Sequence, residues 1–142
     1  MASAPFRLLV AEDNEDLAWT MEMLFAEYGY DVRLYPDGAA ALRGALEDPP
    51  DAAILDIGMP EIDGLRLAEE LRRVLPARTL LMAVTAYGSD ADRRRALAAG
   101  FDCFFAKPAD PDELLRVLDD FRGLLASEAA PAPCPPEPLA SE

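Results

Sequence analysis

The 142-residue chain contains no histidine. That removes imidazole acid–base catalysis and histidine metal ligation from consideration. It has two cysteines, Cys103 and Cys134, too far apart for a metal or redox spacing. Basic residues are scarce, 13 against 27 acidic, for a net charge of −14. A nucleic-acid surface needs a basic footprint, and the one basic cluster, Arg93-Arg94-Arg95, spreads around a helix rather than forming a patch. No apolar run has the length of a membrane span. Met1 to Pro5 lacks the charged start and long apolar stretch of a signal peptide. The expected location is the cytoplasm, with no nucleic acid and no membrane as partner.

About half the residues are apolar, enough for one domain with a real core. Short apolar runs alternate with helical patterns along the chain. Phe6 to Ala11 reads as a first strand, followed by a helix from an Asn14 cap to about Tyr28, with Leu17, Met21, Leu24, Phe25 and Tyr28 as its stripe. A strand around Val32 and Leu34 precedes an alanine-rich helix to about Glu47. Ala52 to Leu55 is a third, buried strand ending on Asp56. A helix over 65–75 follows, with Leu67, Leu71 and Val74 inward. Thr79 to Thr85 is the fourth strand. Ser89 and Asp92 then form a capping-box-like start to a helix ending at Gly100, with a thin inward face of Ala and Leu97. Cys103 to Ala106 is the fifth strand. Asp110-Pro111 opens the last helix, with Leu114, Leu118, Phe121 and Leu125 as its stripe.

Five strand–helix units in strict alternation imply an α/β fold, a three-layer (βα)5 with a parallel sheet covered on both faces. The flavodoxin-like strand order 2-1-3-4-5 suits it. The ordered domain is expected over 1–126. From 127 to 142 the composition shifts to Ala, Pro and Glu, which predicts a disordered or polyproline-like tail.

In such a sheet, ligands bind outside the carboxyl ends of the strands. Glu12-Asp13 ends the first strand and Asp56 the third, and the 2-1-3-4-5 order makes these neighbours. Three converging carboxylates repel one another, and a divalent cation with all-oxygen ligands, Mg²⁺, would resolve the conflict. Thr85 ends the fourth strand and Lys107 follows the fifth. One edge thus carries three acids, a hydroxyl and an amine.

These motifs, Ala11-Glu12-Asp13, the Asp56-Ile57-Gly58-Met59-Pro60 loop with Gly64, Thr85-Ala86 and Lys107-Pro108, resemble the receiver domain of two-component response regulators. The resemblance covers Phe6 to about Leu125. It implies a phosphoacceptor, not an enzyme in the ordinary sense, in which Asp56 takes a phosphoryl group from a sensor histidine kinase or a histidine phosphotransfer protein. Asp13, Asp56 and the Gly58 carbonyl would bind Mg²⁺, with Glu12 acting through a water. Lys107 and Thr85 would hold phosphoryl oxygens, and the peptide before Pro108 is often cis in the family. Thr85 and Phe104 would form the switch, although Phe104 lacks the hydroxyl of the family's usual Tyr. Gly58 has no side chain to screen an acyl phosphate, and Tyr87 could screen it instead. Signalling would go to a downstream protein through the fourth helix, fifth strand and fifth helix. A phosphorelay intermediate, a phosphate sink and the receiver of a hybrid kinase share this chemistry. An aspartyl-nucleophile phosphohydrolase of the haloacid dehalogenase type would want an acid at Gly58. A flavin carrier would suffer repulsion between its phosphate and Glu12-Asp13.

Overall fold

The computed structural model describes residues 6–57, 64–76, 78–86, 89–107 and 109–127, with side chains to Leu124. The expectations for Gly58, Met59, Pro60, Tyr87, Pro108, Leu125 and the 128–142 tail lie outside the described residues.

Five strands and five helices alternate: β1 (Phe6–Ala11), α1 (Glu15–Glu27), β2 (Tyr30–Tyr35), α2 (Gly38–Glu47), β3 (Ala52–Asp56), α3 (Gly64–Val74), β4 (Leu80–Thr85), α4 (Asp90–Ala99), β5 (Cys103–Ala106) and α5 (Pro111–Ser127). All pairings are parallel and the order is β2-β1-β3-β4-β5. The fold is therefore the flavodoxin-like one that the alternation implies. β3 and β4 are buried along their whole length, as strands covered on both faces must be.

Local chemistry sets where the helices begin. The Asn14 side chain accepts from the Leu17 N–H at 3.1 Å, and that of Asp37 from Ala40 at 2.8 Å. Ser89 Oγ accepts from the Asp92 N–H at 3.1 Å. Each cap satisfies a donor that the first turn leaves unpaired. The Asp92 carboxylate accepts in return from the Ser89 hydroxyl at 2.8 Å, as the capping-box-like pairing expects.

Two apolar cores lie on opposite faces of the sheet. Met21 and Phe25 of α1 and Leu114, Leu118 and Phe121 of α5 cover one face. Ala41 and Ala45 of α2, Leu67, Ala68 and Leu71 of α3, and Ala96 and Ala99 of α4 cover the other.

Three expected core positions point elsewhere. Tyr28 is exposed, because α1 ends at Glu27 and the chain turns away there. Val74 is 48% exposed, and Leu75, just past the end of α3, fills the inward place. Leu97 is 49% exposed. The inward stripe of α4 is Ala96 and Ala99, about one residue's rotation (roughly 100°) away. Among the described residues, no helix is long and apolar enough to cross a membrane.

Candidate functional site

The carboxyl ends of β1, β3, β4 and β5 meet at one edge. Glu12, just past β1, and Asp56, the last residue of β3, are both buried, and Asp13 is exposed. One carboxylate oxygen from each of the three lies within 4.8 Å of the others. Lys107, just past β5, donates from Nζ to Asp56 Oδ2 at 3.2 Å, and also lies 3.2 Å from Glu12 Oε1.

Backbone bonds fix these positions. The Glu12 N–H donates to the Tyr35 carbonyl at 3.1 Å, and Ile57 N–H to Val84 at 3.1 Å. Lys107 N–H donates to the Thr85 carbonyl at 2.7 Å. The amine and the buried Thr85 therefore hang from paired backbone at the sheet edge, not from free loops. The Lys107 stem also lines an apolar cavity of about 330 Å³ with Leu17, Met21, Val84 and Leu114, while its charged head reaches the acids.

Burial pushes the Glu12 pKa up, and repulsion from Asp56 adds to that. The Asn14 N–H, which donates to Glu12 Oε2 at 3.1 Å, and Lys107 pull the other way. For Lys107, partial burial opposes the charge. The carboxylates of Asp56 and Glu12 outweigh it and raise the pKa. The site thus holds an excess of negative charge that one ammonium only partly offsets. Three hard oxygen donors in this spacing fit a cation such as Mg²⁺.

Phe104 is already buried, packed with the α2–α3–α4 side of the sheet. Two features escaped the sequence reading. Lys107 is the only lysine in the chain, which a residue count reveals. The Asn14 backbone contact to Glu12 has no signature in the sequence.

A doubly covered parallel sheet with three acids and a lysine at its carboxyl edge is the arrangement of a receiver module. The chain belongs to the response regulator receiver domain family, whose model matches residues 8–119. It is 36% identical over 114 residues to the response regulator MprA of Mycolicibacterium vanbaalenii, covering 78% of this chain and 48% of that one. The chain thus spans about half the length of that relative. The receiver domain of the sensor histidine kinase PA1611 from Pseudomonas aeruginosa PAO1, solved with a magnesium ion in its active-site cleft, is similar at TM-score 0.75 and 33% identity. That match covers 84% of this chain and 99% of that domain. A response regulator from Burkholderia pseudomallei, solved with a phosphorylated aspartic acid and a calcium ion, is similar at TM-score 0.74 and 29% identity. It covers 87% of this chain and 72% of that one.

Proposed function

We propose that this chain is a single-domain response regulator that accepts a phosphoryl group on Asp56 from a histidine kinase or a histidine phosphotransfer protein. The observation that carries the reading is the Lys107 ammonium 3.2 Å from Asp56, with Glu12 and Asp13 in the same pocket. In the transfer, an Asp56 oxygen attacks phosphorus in line. The new P–O bond forms as the P–N bond to the donor imidazole breaks, and the imidazole leaves with a proton. Asp13, Asp56 and the Gly58 carbonyl would hold Mg²⁺, with Glu12 reaching it through a water. The ion supplies charge neutralisation on the transferred oxygens. Lys107 would add to that neutralisation, held in place by its backbone bond to Thr85.

Thr85 takes a phosphoryl oxygen in this reading, and Phe104 adjusts within the core. Phosphorylation then shifts a pre-existing equilibrium of α4, β5 and α5, the face that meets a downstream protein. Alanine packing of α4 suits an element of low local stability. The protein is expected in the cytoplasm, with 1–126 as the receiver. A second reading, the receiver module of a hybrid histidine kinase, is supported by the likeness to PA1611.

Intact-mass labelling with acetyl phosphate and Mg²⁺ tests the reading. One phosphoryl group is expected, dependent on Mg²⁺ and lost in Asp56→Asn. Labelling that persists in Asp56→Asn would place the acceptor elsewhere.

A further inference from the structure

β5 is a four-residue edge strand, Cys103 to Ala106, bound to β4 alone. Its core is Phe104-Phe105, and the two rings face opposite cores. Sliding a strand by one residue exchanges its faces. Two successive phenylalanines make the two registers nearly alike in apolar content, so this strand encodes its own register weakly. Yet it delivers Lys107 to the site.

Its register is held from the far end. The Asp102 N–H donates to the Leu81 carbonyl at 2.8 Å, and Asp102 Oδ2 accepts from the Leu81 N–H at 2.9 Å. Arg72 of α3 grips the same carboxylate, with Nη2 2.6 Å from Oδ2. The guanidinium also donates from Nε to the Gly100 carbonyl at 2.9 Å and from Nη1 to the Thr79 carbonyl at 2.7 Å. One planar fork therefore ties the chain just before β4, the end of α4 and the start of β5 to α3. The fit is close. Gly100 has a φ of +117°, and a Cβ there would come 2.6 Å from Arg72 Cγ.

We propose that Arg72 is a positioning residue for the phosphoacceptor site: it sets the register of β5 against β4, and thereby the height at which Lys107 meets Asp56 and Glu12. The same grip ties the C-terminal end of α4 to α3 through the Gly100 carbonyl. This rests on the phosphoacceptor reading for its consequence, but its geometry is testable without phosphorylation.

Lys107 is the only lysine, so selective lysine labelling with ¹³C gives one side-chain Cε signal. In Arg72→Ala that signal is expected to shift or split toward the position of a Lys107 that has lost Asp56, with Asp56→Asn as the reference. Asp102→Asn, which keeps an acceptor for Leu81, is expected to move it partway. Labelling by acetyl phosphate should slow about tenfold in Arg72→Ala, in line with a small misplacement of a catalytic group. A Lys107 signal unchanged in Arg72→Ala, with amide shifts confined to Thr79 and Ala99–Asp102, would overturn the proposal. If Arg72→Ala does not fold, Asp102→Asn decides alone: an unmoved Lys107 signal overturns the proposal. If the wild type takes no phosphoryl group, the function proposed above fails, while the lysine signal still decides the role of Arg72.

Discussion

The ammonium of Lys107 stands 3.2 Å from the Asp56 carboxylate and is shared with Glu12, so one cation serves two buried acids. Removing one partner of such a pair strands the remaining charge. Lys107→Met should lower metal-free stability by about 1–3 kcal/mol, less than for a fully buried pair because the lysine keeps some solvent contact. Urea unfolding measures this. Millimolar Mg²⁺ should stabilise the variant more than the wild type, since the uncompensated acids bind a divalent ion more tightly. Equal stability of the two proteins without metal would mean that water, not Lys107, balances the acids.

Gly64 controls Asp56 from the next element. Its N–H donates to the Ile57 carbonyl at 3.0 Å. A Cβ at this position would lie 2.6 Å from Ile57 Cα and 2.8 Å from the Asp56 carbonyl oxygen, both backbone atoms that cannot rotate away. Gly64→Ala must therefore displace either α3 or the end of β3. The expected cost is about 1–3 kcal/mol of stability, together with slower labelling of Asp56 by acetyl phosphate. A variant that labels at the wild-type rate would show that α3 moves and the site does not.

Phe104 packs inside rather than waiting at the surface. Phe104→Ala should cost about 3–5 kcal/mol in urea unfolding, as expected for a buried aromatic ring. Phe104→Tyr buries a hydroxyl and should cost about 1–3 kcal/mol unless the ring turns outward. Tyrosine absorbance distinguishes the two results. A solvent-exposed new tyrosine at no cost in stability would reveal an outward rotamer open to this position.

The sheet order and the converging acids were legible because each rests on short-range chemistry. Asn14, Asp37 and Ser89 cap helices where a side-chain oxygen meets unpaired N–H groups. Glu12, Asp56, Thr85 and Lys107 stand where apolar strands stop, and strict alternation with helices places those stops on one edge. Helix phase was less legible. In α4 the alanine face was legible, and Ala96 and Ala99 do face the core, but Leu97 was placed with them and is exposed. Packing against a neighbouring helix rewards small residues that the sequence pattern undervalues. The state of the Phe104 ring depends on how tightly its core closes around it, which no pattern along β5 encodes. Arg72 was invisible for another reason. Its bond to Asp102 spans 30 positions and depends on two helix and strand ends meeting.

Tyr30 supplies a pH dependence at the opposite end of the molecule. Its hydroxyl donates to Asp119, and the Arg122 guanidinium lies 4.8 Å from its ring centre. Burial, then the bond to Asp119, push its pKa well above the ordinary tyrosine value of about 10. Between the unfolded and folded values the native state keeps a proton that the unfolded chain has lost. Stability from this group is therefore complete below about pH 10 and falls as pH rises beyond it. In an absorbance titration, one of the four tyrosines should ionise only as the protein unfolds. Tyr30→Phe should lose about 0.5–1.5 kcal/mol at neutral pH and show a shallower decline in alkali. A decline as steep as in the wild type would assign the alkaline transition to other groups.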